Sequence, residues 1–189
     1  YTTGNTEYTV SFWVNVNTFP TSTNHVGLID QYDGSTHGVL IRLYATYIRF
    51  YHASTSGWKT YDFATTNSDW MHIVQTYNGT DLFIYVNNTQ VYTTSTDYTT
   101  SSRDFVLGCE YASGGSYAYF YNGYIDEVSF YNESLNTTEV SILYNDGDGF
   151  QYPFSVPSGN FTVTVIDSWN GSNVNNISVI VDGVTYTNE

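Results

Sequence analysis

Hydrophobic and polar residues alternate with a period of two along most of the chain. Val10, Phe12, Val14 and Val16 would fall on one face of an extended segment, and the residues between them on the other. An alternation of this kind predicts a half-buried strand, because successive side chains of a strand point to opposite faces.

Ten further segments repeat this pattern, with turn signals such as Asp33-Gly34 and Asn78-Gly79 between some of them. They lie at about 26–32, 39–44, 47–53, 58–64, 70–77, 82–87, 90–94, 105–111, 117–121 and 124–131. Strands that recur every 8 to 12 residues or so are typical of antiparallel sandwiches. The sequence therefore predicts an all-β fold, a two-sheet antiparallel jelly-roll sandwich.

The composition supports strands and excludes two classes of partner. Aromatic residues make up 19 % of the 189 residues, and they suit a pleated, half-buried surface. The chain has 4 basic and 18 acidic side chains and a net charge of −14. Nucleic acids and anionic membranes attract clustered Lys and Arg, so we expect neither as a partner. No apolar run approaches the roughly 18 residues of a membrane helix, so we expect no membrane insertion.

A short helix and a tail follow the strands. Asn136 precedes Glu139 by three positions, which is a capping-box pattern and predicts one short helix near 137–145. Residues 1–149 would form the jelly roll and 150–159 a linker. Residues 160–189 contain two alternating segments, at 160–165 and 177–186, which predict a partial β module or docking strands.

Acceptor motifs for N-glycosylation, Asn-x-Ser/Thr, indicate an extracellular or cell-surface protein. The candidate glycosylation sites are Asn78, Asn87, Asn132, Asn136, Asn160, Asn170 and Asn176.

The single Cys109 cannot form a disulfide within the chain, and the alternation places it on one strand face with Phe105 and Leu107. We expect a buried, unreactive thiol.

Several motifs occur in a family-specific order: Ser11 to Val14, Trp70 to Gly79, Leu82 to Asn87 and Asn122 to Val128. In this set the chain resembles a laminin-G-like domain of the concanavalin A-like lectin/glucanase superfamily, over roughly residues 8 to 147. The resemblance implies a two-sheet jelly roll, often calcium-binding, that recognises carbohydrate or protein outside the cell. It also assigns Trp13 and Trp70 to packing positions in the core. The tail from Asn160 resembles the start of an immunoglobulin-like or regulatory-like β module.

The same resemblance implies another strand before Ser11. Residues 1–8 could be its remnant. We expect either a fragment or a vacant sheet edge filled by the C-terminal strands or by a second subunit, because an unpaired edge accepts strands in trans. This leaves a structural alternative open, a subunit of a surface filament, coat or virion fibre that forms homo-oligomers through its edge strands.

Catalysis is not expected. A retaining glycosidase needs two carboxyl groups roughly 5 Å apart across the scissile bond. Asp126 and Glu127 are the acidic pair in the corresponding stretch, and neighbouring strand residues point to opposite faces. No other predicted strand offers a same-face pair, and neither a serine nucleophile elbow nor a His-Glu-x-x-His helix occurs. The sequence predicts that the protein is not an enzyme.

Calcium is a possible cofactor, because hard cations prefer carboxylate and carbonyl oxygens. Asp126 lies at the position where the resembled family often contributes a calcium ligand. Asp30, or Asp33 from the same loop, could approach it.

Glycan binding requires exposed aromatic faces with a few fixed polar groups. Tyr117, Tyr119 and Tyr121 would share one strand face after a Gly-rich tip, and Trp58 follows a Ser/Gly-rich loop. We predict carbohydrate binding by Trp58, Tyr117 and Tyr119, with Asp33 as a polar group. The predicted function is non-enzymatic extracellular recognition or adhesion, with a glycan or glycoprotein as partner.

Overall fold

The computed structural model describes residues 7–21, 24–33, 37–112 and 116–149, and the backbone of 178–181 and 184–187. The chain divides into two compact units, Tyr1–Tyr152 and Pro153–Glu189. The described residues contain no helix with the length and hydropathy needed to cross a bilayer.

Strands dominate the first unit, as the alternation predicts. The elements are β1 (Tyr8–Val16), β2 (His25–Asp30), β3 (Val39–Tyr44), β4 (Tyr47–Ser54), β5 (Gly57–Ala64), β6 (Met71–Tyr77), β7 (Asp81–Val86), β8 (Thr89–Ser95), β9 (Val106–Leu107), β10 (Glu110–Tyr111), β11 (Tyr117–Ala118), β12 (Gly123–Tyr131), helix α1 (Thr137–Tyr144) and a 3-10 turn (Asn145–Gly147). The second unit contains β13 (Ser178–Val181) and β14 (Val184–Thr187).

Two five-stranded sheets form the sandwich. The first sheet has the order β12-β1-β6-β7-β8 and the second has the order β5-β4-β3-β2-β9. All described strand pairs in both sheets are antiparallel, and β10 and β11 form a separate hairpin. The predicted jelly-roll sandwich is confirmed.

Side chains of alternate strand residues fill the space between the sheets. Val10, Phe12 and Ile73 from the first sheet meet Ile41 and Phe50 from the second, and each is at most 1 % exposed. Full burial of such a side chain stabilises the fold by roughly 1.5 to 3 kcal/mol. Because this core uses the inner face of each sheet, the outer faces are available for covering elements or for ligands.

Helix α1 covers part of the outer face of the first sheet. The Asn136 side chain accepts hydrogen bonds from the backbone N–H groups of Thr138 and Glu139, and the Glu139 carboxylate accepts one from the N–H of Asn136. This is the capping box that the sequence predicts. Val140 of the helix packs against Val74 of β6 in a second, smaller core.

A vacant sheet edge does not lie beside the first described strand. β1 lies inside its sheet, paired with β12 on one side and with β6 on the other. Among the described residues, the sheets end at β12 and β8 in the first sheet and at β5 and β9 in the second. Pairing between subunits through these edges stays a prediction.

Two predicted strands break at residues with positive φ. The segment 105–111 divides into β9 and β10 because Gly108 turns the chain at φ +70°. The segment 117–121 ends early because Tyr119 adopts φ +56°. Cys109 is therefore half-buried rather than buried, and Leu107 is exposed, so the shared buried face predicted for them is wrong.

In the C-terminal unit the predicted single strand over 177–186 is a hairpin, in which Val181 pairs with Val184. The predicted linker, the predicted strand at 160–165 and the resemblance of the tail to a β module lie outside the described residues.

The two tryptophans assigned to packing positions differ in burial. Trp13 is 6 % exposed, and its ring stacks on Tyr144 of helix α1 at 5.7 Å between centroids. Trp70 is 43 % exposed, and its ring neighbour Tyr124 is itself 60 % exposed. The assignment of Trp70 to the core is therefore wrong, because its ring is well exposed and no buried side chain of the described residues stacks on it.

Two histidines are buried. Nε2 of His52 donates to the carbonyl of Asp97 at 2.9 Å, because a carbonyl can only accept, and Nδ1 accepts from the Tyr8 hydroxyl at 2.8 Å. His72 packs in its strand as predicted, and its Nε2 lies 2.9 Å from the Ser11 hydroxyl. Burial lowers the pKa of each imidazole to about 4, so both are neutral at pH 7.

Candidate functional site

The outer face of the second sheet carries a row of aromatic rings. Trp58 of β5 lies 5.7 Å from Tyr51 of β4, and the hydroxyls of Tyr51 and Tyr44 are 3.1 Å apart. The row continues from Tyr44 to His25 at 5.4 Å and from His25 to Tyr119 at 4.5 Å. These side chains face outward because the residues that alternate with them in β3 and β4 fill the core. The predicted residues Trp58 and Tyr119 thus lie at opposite ends of one row.

Two arginines on this face are neutralised by carboxylates. Arg42 makes a bidentate contact with Glu110, at 2.8 and 2.6 Å. Arg49 makes a similar contact with Asp62. Each guanidinium also lies 5.2 Å from a tyrosine ring centroid. Their charges are therefore already paired within the protein.

Arg103 differs from both. Its guanidinium lies 4.8 Å from the ring centroid of Tyr111 and donates one hydrogen bond to the carbonyl of Tyr32 at 3.2 Å. Within the described ranges, none of the ion pairs joins Arg103 to a carboxylate. The side chain is exposed, so the rest of its planar donor fork faces solvent.

Each of the two tyrosines that contact Arg103 belongs to an aromatic pair. The Tyr32 ring meets Trp58 at 5.6 Å, edge to face, and the Tyr111 ring meets Tyr117 at 5.2 Å. The predicted binding residues Trp58 and Tyr117 are therefore the ring partners of the two tyrosines that contact Arg103, a cation that the sequence pattern does not single out. We call this group, Arg103 with Tyr32, Trp58, Tyr111 and Tyr117, the Arg103 site.

The predicted polar residue Asp33 and the third tyrosine of the predicted strand face, Tyr121, have other partners. Asp33 follows Tyr32 in the chain, and its carboxylate is 3.2 Å from Nδ1 of His37. Tyr121 is half-buried and donates its hydroxyl to the carbonyl of Asn15 at 2.6 Å, so it does not share a face with Tyr117 and Tyr119. The predicted single face of three tyrosines is wrong, because the strand ends before Tyr119.

Asp30 positions the Arg103 site. Its carboxylate is 1 % exposed and accepts the backbone N–H of Tyr32 at 2.6 Å and that of Tyr111 at 2.8 Å. Burial raises the pKa of this carboxyl group. Since these amides belong to the two residues that contact Arg103, Asp30 ties both aromatic pairs to one buried group.

Burial also sets the ionisation of the aromatic row. Burial and the hydrogen bond to Tyr51 raise the pKa of Tyr44 to about 12. Burial lowers the pKa of His25, and the neighbouring Arg42 lowers it further. Tyr44 and His25 are therefore uncharged at pH 7, and the Tyr44 hydroxyl can still both donate and accept hydrogen bonds.

The two predicted metal ligands do not share a site. Asp30 belongs to the second sheet, and both its oxygens hold backbone amides. Asp126 is exposed on β12 of the first sheet, where one oxygen accepts the N–H of Glu127 at 2.8 Å. Among the described residues, no three His, Cys, Asp or Glu side chains group together as metal ligands do. Calcium binding stays a prediction that rests on Asp126.

Carboxylate pairs differ from the prediction in two places. Glu127 has φ +49° in a bulge of β12, so simple alternation fails at the Asp126-Glu127 pair. Asp30 and Glu110 are close enough for their charges to interact, a pair that the sequence reasoning missed. Both are buried, at 1 % and 3 % exposure, and both are fully hydrogen-bonded. Neither carboxylate is free to act on a sugar in this conformation.

The described candidate glycosylation sites, Asn78, Asn87, Asn132 and Asn136, are all exposed. Asn78 and Asn87 use their side-chain oxygens to accept backbone amides, as Asn136 does in the helix cap. The remaining three, Asn160, Asn170 and Asn176, lie outside the described residues. Occupancy stays a prediction.

A laminin G family model, described as "Concanavalin A-like lectin/glucanases superfamily", matches residues 2–141. The chain belongs to this family. No curated protein gives a significant match to the chain.

Botulinum neurotoxin binding domains share the lectin-like fold of this family member. The type G receptor binding domain aligns at 17 % identity and a TM-score of 0.59, over 74 % of this chain and 38 % of that one. The serotype D binding domain aligns at 14 % identity and a TM-score of 0.61, over 75 % and 36 %. The type DC domain "in complex with SialylT" aligns at 15 % identity and a TM-score of 0.60, over 74 % and 35 %. The likeness shows the fold, and the chain spans little more than a third of each neighbour.

Proposed function

We propose that this chain is a non-enzymatic recognition domain of the cell exterior that binds glycans bearing an acidic group at the Arg103 site. The observation that carries the proposal is the placement of Arg103. It is an exposed guanidinium without a carboxylate partner in the described structure, and it contacts one tyrosine of the Tyr32–Trp58 pair and one of the Tyr111–Tyr117 pair.

The chemistry of the site suits two parts of such a ligand. Aromatic faces stack on the C–H groups of a pyranose ring, with the hydroxyls at the ring edge free for hydrogen bonds. A guanidinium binds a carboxylate or sulfate with two parallel hydrogen bonds. Arg103 would hold the acidic group while Trp58 or Tyr117 stacks on the sugar. Because Asp30 fixes the backbone of Tyr32 and Tyr111, the site is organised before the ligand arrives.

Two further observations support recognition rather than catalysis. The structural neighbours are binding domains, and one of them is described in complex with SialylT. In addition, two carboxylates on this face whose charges interact, Asp30 and Glu110, are buried and occupied by protein donors. A glycosidase needs its pair exposed to the sugar.

The test compares sialyllactose with lactose by isothermal titration calorimetry, after a glycan array that includes sialylated, uronate-bearing and sulfated oligosaccharides. We expect an acid-bearing glycan to bind and its uncharged counterpart to bind more weakly. Arg103→Gln should weaken acidic binding about tenfold or more, since a hydrogen bond to a charged group contributes roughly 1.5 to 3 kcal/mol. Trp58→Ala should weaken it as well, because it removes a stacking face.

Two controls make the result specific. Arg49→Gln removes the same charge from a residue outside the Arg103 site, so it should leave acidic binding unchanged. Phe120→Ala removes a ring that is 65 % exposed and has no described ring contact. An array without any acidic binder, or equal binding by the Arg103→Gln and Arg49→Gln variants, would contradict the proposal. The array is repeated with a chelator, which tests the calcium prediction at the same time.

A further inference from the structure

The outer face of the first sheet carries a second aromatic group, separate from the Arg103 site. Asn15 of β1 pairs with Tyr124 of β12, and Val14 pairs with Met71 of β6. Trp70 directly precedes Met71, so it lies beside Asn15 on the β6 side, opposite Tyr124. Trp70, Asn15 and Tyr124 therefore form one row across three adjacent strands.

The two rings in this row face solvent and lean toward each other. Trp70 is 43 % exposed, Tyr124 is 60 % exposed, and their centroids are 6.4 Å apart with an interplanar angle of 42°. Strands on either side of a middle strand are separated by roughly 9.6 Å, twice the spacing of neighbours, so the rings converge above Asn15. Exposed aromatic side chains grouped in this way mark binding surfaces more often than isolated ones do.

Unpartnered polar groups lie beside the rings. The Asn15 side-chain amide has no hydrogen-bond partner among the described residues, although its main-chain carbonyl accepts from Tyr121. Asp126 is two residues from Tyr124 on the same face, and only one of its oxygens has a described partner. An amide and a carboxylate are the groups that bind sugar hydroxyls, because together they both donate and accept.

A buried layer of packed rings lies next to this row on the same sheet. Trp13 and His72 form the next row on the same face, with ring centroids 5.1 Å apart, and Tyr144 stacks on Trp13. The indole N–H of Trp13 is buried and has no acceptor in the described part of the chain. This buried layer limits movement of the strands that present Trp70 and Tyr124.

We propose that Trp70 and Tyr124, with Asn15 and Asp126, form a second glycan site, and that its ligand is an uncharged pyranose. The charge decides the ligand class. None of the four basic side chains of the protein lies in this row, and Asp126 would repel a sugar acid. The two rings would stack on the apolar face of the sugar, and Asn15 and Asp126 would bind its hydroxyls.

The test uses uncharged oligosaccharides, namely lactose, chitotriose, mannotriose and maltotriose, with saturation-transfer NMR to detect binding and titration to measure affinity. At least one should bind to the full chain. Trp70→Ala should weaken that binding about tenfold, and Trp70→Phe, which keeps an aromatic face, should weaken it less. Asn15→Ala should also weaken it, while Ile142→Ala, an exposed side chain on helix α1, should not.

The outcome separates this site from the Arg103 site. Two sites are established if an acidic glycan loses binding to Arg103→Gln but still binds Trp70→Ala, and if an uncharged sugar loses binding to Trp70→Ala but still binds Arg103→Gln. Absence of uncharged binding, or equal affinity in Trp70→Ala and wild type, overturns the second site whatever happens at Arg103. A monomer–dimer shift in Trp70→Ala, measured by light scattering without any sugar effect, also overturns it, because a second copy would then be the occupant.

Discussion

Acid should unfold this protein through two buried imidazoles. His52 and His72 are 0 % and 1 % exposed, and burial lowers the pKa of each to about 4, from an ordinary value of 6.5 in the unfolded chain. Between these pH values the unfolded chain binds the protons and the folded protein does not. The stabilisation is complete above about pH 6.5 and is lost progressively as the pH falls toward 4.

The size of the effect follows from the shift. A pKa change of one unit corresponds to about 1.4 kcal/mol, so each histidine should reduce the free energy of unfolding by about 3 kcal/mol between pH 7 and pH 4. Together they approach about 6 kcal/mol, a large part of the 5 to 15 or so that stabilises a typical domain. The carboxyl of Asp30 opposes this loss, because burial raises its pKa.

The assay is urea unfolding, followed by tryptophan fluorescence, at half-unit steps from pH 7 to pH 4. The wild-type free energy of unfolding should fall steeply below pH 6.5. In His72→Gln the slope of the unfolding free energy against pH should correspond to about one proton fewer taken up on unfolding. The same holds for His52→Gln, although each variant should be less stable than wild type at pH 7. His37→Gln, in which the replaced side chain is 43 % exposed, is the matched control. If wild type is as stable at pH 4.5 as at pH 7, or if both buried-site variants keep the full slope, the reasoning is wrong.

Three further predictions concern single positions. Gly27→Ala should destabilise the fold by about 2 kcal/mol or more in urea unfolding, because its Cβ would lie 2.5 Å from both the Cys109 carbonyl and Cγ of Glu110, which holds Arg42. Asn136→Ala should cost about 1 kcal/mol by removing the helix cap, measured in the same way, and a loss no larger than that of a control substitution at the exposed Asn132 would contradict this. Calcium, if bound, should raise the melting temperature in calorimetry; Asp126→Asn should abolish that rise, and an equal rise in the variant would exclude Asp126 as a ligand.

The strands could be predicted because their signal is local. The segment predicted at 47–53 appears as Tyr47–Ser54, and its alternate residues Ile48 and Phe50 fill the core as the pattern requires. The helix cap at Asn136 is likewise contained within four residues. Local geometry sets side-chain direction in a strand, so a period of two is legible without knowledge of the partners.

The candidate site was predictable only in part. Trp58 and Tyr117 could be chosen because a loop signal stands beside each, but nothing local connects them. Arg103 contacts the tyrosine partner of each only because the loop before β9 crosses toward the end of β2 and the β10–β11 hairpin, where Asp30 holds Tyr32 and Tyr111. The outward-facing positions of the alternating segments include Arg42 and Tyr44. They do not include Arg103, which lies in the loop before β9.

The sequence by its own pattern determines which side chains can face inward and where the strands turn, because both depend on neighbours along the chain. Its composition determines that the protein is strongly acidic. The tertiary structure decides which outward faces are covered. Helix α1 buries Trp13 on the first sheet, while Trp70, one row away on the same face, stays in solvent. Exposure is a property of what packs on a residue across space, and an alternating pattern carries no information about that neighbour.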